Sequence, residues 1–284
     1  MKKILFIMFF ILTNVVYAKL IVIVSVLPEQ TFVEKIAKDK VDITLMVKPG
    51  NSPHTYEPKS SQMIDISKAD VYFSIGVEFE NTWLPRFKSQ NKKLKIVNIS
   101  DKVTKVEMLE HHHGGEVHHA EHKSFDPHTW TSPKNVKIMA NTIYESLVEI
   151  DPANSSFYKS NLDEFIKEIE YTDAAIKNAL KDIKSKSKFM VFHPSWGYFA
   201  NEYNLVQLAV EVEGKRPKPK EMIIIIEEAK EENVKVIFTQ PEFSDKSAKI
   251  IAKEAGVSVE KISPLSGNWS QNLINMAKQI ANKR

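Results

Sequence analysis

Leu20-Ile21-Val22-Ile23-Val24-Ser25-Val26-Leu27 is an almost continuous apolar, β-branched run, the pattern of a strand covered on both faces. Residues 28–37 then keep helical spacing, and this strand-then-helix beat recurs along the chain. Residues 41–47, 71–75 and 94–99 read as strands, with helices at 60–69 and 82–89 between them. In the second half 188–192, 205–210, 234–239 and 257–262 read as strands, and 196–201, 220–231, 245–255 and 268–282 as helices. Such alternation predicts an α/β fold: two similar α/β lobes with mostly parallel sheets and helices on both sides.

The middle of the chain joins the halves. Ser132-Pro133 offers an N-cap followed by proline at the first helical position, opening a helix to about residue 149 that Asp151-Pro152 breaks. Residues 155–186 contain neither proline nor glycine and keep apolar residues in helical register. A helix of about thirty residues is roughly 45 Å long, more than one lobe needs, and is read as a rigid strut. The expected division is residues 1–18 as a signal peptide, 19–152 as the N-terminal lobe with a histidine-rich loop at about 107–125, 153–186 as the linking helix, and 187–284 as the C-terminal lobe. Each lobe is expected to have its own core.

Composition narrows the function. A net charge of +3, with no basic stripe carrying interleaved aromatics, argues against a nucleic-acid partner. The basic passage Lys215-Arg216-Pro217-Lys218-Pro219-Lys220 reads as a solvated loop leading into a helix. Lys2, Lys3, the apolar residues 4–12 and Val16-Tyr17-Ala18 have the form of a secretory signal peptide cleaved after Ala18. The chain contains no cysteine, so thiolate ligands are excluded, and neither a disulfide nor a lipid anchor is expected. A free periplasmic protein is the expectation.

Six of the nine histidines (His111, His112, His113, His118, His119 and His122) crowd one tract. It is too polar and glycine-broken to pack a core, and reads as an auxiliary metal-binding segment. The other three, His54, His128 and His193, are dispersed, and each sits beside a proline. His54 and His193 follow expected strands and His128 a loop, and in an open α/β sheet ligands gather at the carboxyl ends of strands. Three neutral imidazoles meeting in a cleft make a nitrogen-rich site suited to zinc, copper or nickel.

Three motifs carry a resemblance: Pro49-Gly50-Asn51-Ser52-Pro53-His54-Thr55-Tyr56-Glu57-Pro58, Asp126-Pro127-His128-Thr129-Trp130, and Phe192-His193-Pro194-Ser195-Trp196-Gly197-Tyr198-Phe199. Phe238-Thr239-Gln240-Pro241-Glu242-Phe243-Ser244 adds a fourth. In order and spacing the set resembles the zinc- and manganese-specific solute-binding proteins of bacterial ABC importers, and among them the zinc-uptake (ZnuA-like) branch. The resemblance implies two lobes joined by one rigid helix, with metal in the interlobe cleft. His54 and His128 would come from the first lobe and His193 from the second. Manganese members tend to carry a carboxylate where His193 stands, which puts this chain on the zinc side. Many members supply a fourth ligand from Asp-Pro-Leu, whereas this chain has Ser263-Pro264-Leu265. A serine hydroxyl is a poor zinc ligand, so water is the first choice there, ahead of Glu242 and Glu57. The expected function is high-affinity capture of Zn2+ in the periplasm by a monomer that hands the ion to an inner-membrane ABC permease, with small lobe shifts and no catalysis. The alternative is a secreted three-histidine zinc hydrolase or hydratase, against which stands the lack of an HExxH pair and of a nucleophile elbow.

Overall fold

The computed structural model describes residues 19–108, 125–212 and 215–282. The expected signal peptide and the tract from His111 to His122 therefore lie outside the described residues. The first lobe is built from β1 (Leu20–Val24), α1 (Leu27–Ala37), β2 (Val41–Leu45), α2 (Ser60–Lys68), β3 (Val71–Ser74), α3 (Glu78–Gln90) and β4 (Lys95–Asn98). Two long helices follow, α4 (Pro133–Ile150) and α5 (Ser155–Leu180). The second lobe comprises β5 (Lys188–Val191), α6 (Gly197–Glu202), β6 (Val206–Ala209), α7 (Pro219–Glu231), β7 (Val236–Thr239), α8 (Lys246–Ala255), β8 (Ser258–Lys261) and α9 (Trp269–Asn282).

The first sheet runs β2-β1-β3-β4 and the second β6-β5-β7-β8, and every pairing between these strands is parallel. The two sheets thus share one winding. In each, the connections leave to opposite sides at the central pair, β1 with β3 and β5 with β7, which opens a crevice at their carboxyl ends. Local chemistry sets the element boundaries. Ser132 caps α4, its side chain accepting a hydrogen bond from Asn135 N at 3.1 Å, and Pro133 opens the helix where its missing N–H costs nothing.

Three features depart from the sequence reading. The first is the extent of α3, which begins at Glu78 rather than near residue 82 and keeps Pro85 inside it. A proline in the third turn leaves only one hydrogen bond unmade, so the helix runs through it. The second is α5, which ends at Leu180, six residues short of Lys186. There the chain must turn to begin β5, and Lys186 takes a left-handed conformation (φ 62°) to do so. The third concerns the cores. Alternate residues of the second sheet point to different cores, as a strand's period of two requires. Phe189, Val191, Val236 and Phe238 join a cluster that continues through α5 into the first lobe. Met190, Phe192 and Ile237 join a smaller one under α7 and α8. The lobes therefore share the larger core, and the second lobe holds the smaller one by itself. Phe32 of α1, Phe165 of α5 and Trp269 of α9 pack together at its centre, with ring centroids 5.5 to 6.4 Å apart.

A buried acidic pair sits at the crevice of the first sheet. The Glu29 carboxylate accepts from Ser25 N at 2.7 Å. That of Glu80 accepts from Ser25 Oγ (2.5 Å), Ile75 N (3.0 Å) and Gly76 N (2.8 Å), tying the ends of β1 and β3 together. Burial pushes the Glu80 carboxyl up to about 7 against the pull of these hydrogen bonds. Burial, assisted by the Glu80 charge, also pushes Glu29 well above the usual carboxylate range. A raised carboxyl binds a proton in the folded state that the unfolded chain releases, so its contribution to stability declines as pH rises toward 7. The stability advantage of the native chain over a Glu80→Gln variant should accordingly narrow by roughly 2–3 kcal/mol between pH 5 and pH 8 in denaturant unfolding. A difference that stays flat across that range would show that Glu80 is ionised throughout.

Candidate metal centre

His54 lies on the loop after β2, in which Gly50 turns at a positive φ of 84° that disfavours other residues. His128 lies just ahead of α4, and His193 two residues beyond β5. The fold brings all three to one point: one ring nitrogen from each falls within 4.8 Å of the others. Ring centroids are 4.7 Å apart for His54 and His193, 5.4 Å for His128 and His193, and 6.0 Å for His54 and His128. His128 and His193 are buried and His54 is half-buried, so the cluster opens to solvent on the His54 side.

Each imidazole is held from behind by a different carboxylate. Nδ1 of His54 is 2.9 Å from Glu78 Oε1, Nδ1 of His128 is 2.7 Å from Asp126 Oδ1, and Nδ1 of His193 is 2.6 Å from Glu211 Oε2. Engaging Nδ1 leaves Nε2 as the atom turned toward the common point, and it strengthens the ring as a donor to a cation. Nε2 of His54 and Nε2 of His193 stand only 2.9 Å apart. Two lone pairs at that distance repel, so the pair gains by sharing a cation. Burial pulls the pKa of His193 down, the positive charge of its histidine neighbours adds to this, and Glu211 opposes it. That favours the neutral ring a metal needs.

The supporting residues are themselves fixed. Asp126 Oδ1 also accepts the backbone N–H of His128 at 2.9 Å. Gln240, at the end of β7, receives His193 N (3.3 Å) and donates to His193 O (2.8 Å). Phe243 stacks on the His193 ring at 4.8 Å, and Trp130 meets the His128 ring edge-on at 5.4 Å. The indole of Trp130 donates to Pro264 O (2.8 Å), and that of Trp269 to Trp130 O (2.7 Å), stitching the lobes together beside the site. Pro53, Glu242, Phe243, Pro264 and Leu265 complete the wall around the three histidines.

All three dispersed histidines singled out from sequence thus meet, and the donor set of three imidazole nitrogens fits zinc. Glu57 is not among the residues lining the cavity, whereas Glu242 is. Sequence reasoning gave no role to Glu78, Asp126, Glu211 or Gln240. Only Asp126 carried a signal, since an acid two residues before a histidine can reach back to its ring.

The zinc-uptake complex component A (periplasmic) family, ZnuA, matches residues 22–283. The high-affinity zinc uptake system protein ZnuA of Bacillus subtilis is 31% identical over 255 residues, covering 88% of this chain and 79% of that protein. The zinc-binding protein AdcA of Streptococcus pyogenes is 29% identical over 264 residues, covering 88% of this chain. The chain spans about half the length of that relative, 51%. A crystal structure of ZnuA superposes with a TM-score of 0.86 at 40% identity, covering 94% of this chain and 99% of that one. A ZnuA deletion mutant with zinc bound superposes at 0.83, also at 40% identity, covering 94% and 98% of the two chains. These names give the alternative of a secreted zinc hydrolase no support.

The carboxylates behind the rings define a test. A Cβ built on Gly197 would lie 2.4 Å from Asp126 Oδ2, so Gly197→Ala must displace the group that orients His128. We expect Gly197→Ala and Glu211→Gln each to weaken zinc binding by about 10–100-fold in chelator-competition titrations while the folded circular dichroism spectrum is kept. Unchanged affinity in both would mean that the carboxylates do not orient the ligands.

Proposed function

This chain belongs to the ZnuA family of periplasmic zinc-uptake components, and from that premise we propose that it captures Zn2+ outside the cytoplasmic membrane and delivers it to an ABC permease for import. The observation that carries the reading is the convergence of His54, His128 and His193 from both lobes, each with Nδ1 on a carboxylate. Three neutral nitrogen donors with three acids behind them attract and hold a divalent ion, and nothing in that arrangement requires a reaction. The ion is cargo, and the protein acts by binding and release rather than by catalysis.

The shared core and the Trp130–Pro264 and Trp269–Trp130 bonds favour a carrier that adjusts locally at the cleft over one that swings its lobes widely apart. The tract from His111 to His122 is assigned an auxiliary part, collecting zinc near the cleft. Its two flanks are pinned together, Glu107 bridging to Phe125 and Asp126 N donating to Val106 O at 2.9 Å, so it leaves and re-enters the fold beside the group that holds His128. The protein is read as a periplasmic monomer. Among the described residues no helix is long and apolar enough to cross a membrane.

Titration of metal-free protein with zinc against a competing chelator tests this. One tight site should survive deletion of residues 111 to 122 and disappear in His128→Ala. Loss of tight binding with the tract, and its persistence in His128→Ala, would relocate the transport site. Apparent affinity should also fall on acidification, by up to about tenfold per pH unit for each proton the ion displaces. A pH-independent affinity would contradict binding through imidazoles.

A further inference from the structure

Three imidazoles leave a tetrahedral ion one ligand short, and one carboxylate lines the wall of the same cavity. Among the described residues lining the cavity with the three histidines, Glu242 alone carries a carboxylate. The acids behind the rings are engaged at Nδ1, on the far side of each imidazole from the common point. Glu242 rides on the segment that fixes His193: Gln240 clamps its backbone from two residues upstream, and Phe243, next in the chain, stacks on its ring. The position of Glu242 relative to His193 is therefore set by two independent contacts.

Its carboxylate is also oriented. Ser263 Oγ accepts the backbone N–H of Leu265 at 3.0 Å, which turns the hydroxyl proton outward, and donates it to Glu242 Oε1 at 2.8 Å. Ser263 is anchored in turn, its carbonyl receiving Asn272 Nδ2 at 2.9 Å and the next carbonyl, of Pro264, receiving the Trp130 indole. The serine is poorly suited to hold zinc itself, but it is well placed to hold the oxygen of a residue that can. One oxygen of Glu242 is committed to Ser263, and the same carboxylate has a second oxygen to offer.

Resting on the zinc-capture reading above, we propose that Glu242 is the fourth ligand of the bound ion, with Ser263 as its positioning residue. The carboxylate stands at the wall of the cavity on Ser263. When an ion enters, the His54–His193 contact of 2.9 Å opens toward the nitrogen spacing of about 3.3 Å that a tetrahedral zinc site needs. The free oxygen of Glu242 then takes the remaining position, and Ser263 keeps its bond to the other. The ion is closed in by a residue of the second lobe.

The test uses the full mature chain, with zinc as the probe. Glu242→Gln should weaken zinc about 10–100-fold in chelator competition, and Ser263→Ala a few-fold, because it loosens an oxygen without removing it. Glu242→Asp should fall between wild type and Glu242→Gln. In a crystal of the zinc-loaded protein a Glu242 oxygen should lie about 2.0–2.2 Å from the ion. Wild-type affinity in Glu242→Gln, or a water at the fourth position with Glu242 still only on Ser263, overturns the proposal. His128→Ala measured alongside separates the two levels: if it also binds as tightly as wild type, the zinc-capture reading fails, not just the assignment of Glu242.

Discussion

Three imidazole rings converge edge to edge in this protein, two of them with nitrogens 2.9 Å apart. Left to themselves such rings would rotate, protonate and repel. What prevents this is the carboxylate behind each one. By occupying Nδ1, Glu78, Asp126 and Glu211 fix the tautomer and the plane of each ring. The fold can be seen as the apparatus that delivers those three acids. Glu78 opens α3, Asp126 lies two residues ahead of His128, and Glu211 follows β6. Glu78 and Asp126 belong to the first half of the chain and Glu211 to the second, so the supports approach from both lobes.

The alternation of strands and helices was legible in the chain because both sheets are buried on both faces. Runs such as Val22 to Val24 and Met190 to Phe192 then have no polar interruption to hide them. The histidines were legible for a related reason: few residue types hold metal, and a chain without cysteine leaves fewer still. The carboxylates were not. Acids are frequent along the chain, and nothing local separates Glu78 or Glu211 from a surface acid, since what matters is the loop that packs against each one. The first turn of α3, which the sequence reading left out of the helix, is the very turn that carries Glu78 and Glu80. The shared core was hidden too, because the alternation of Phe189, Met190 and Val191 shows that a strand has two faces but not which partner covers each.

The site also shows how a residue unfit for one role can serve another. Ser263 lines up a carboxylate through a single hydroxyl whose two bonds are both used. Gly197 contributes by having no side chain, since the space its Cβ would fill belongs to Asp126. Neither position announces itself by chemical type. Both become intelligible only once the carboxylates around the rings are in view.

The packing of Phe32, Phe165 and Trp269 reaches beyond the binding site. Because it joins both lobes and the linking helix in one core, most of the chain shares one set of contacts, and the smaller cluster under α7 and α8 stands apart from it. A ligand that binds only the native state stabilises the whole of such a unit. Proteases act on the opened chain, and the empty carrier opens more often than the loaded one. Metal scarcity would then shorten the lifetime of the carrier itself, and the amount of protein present would follow the supply of its cargo.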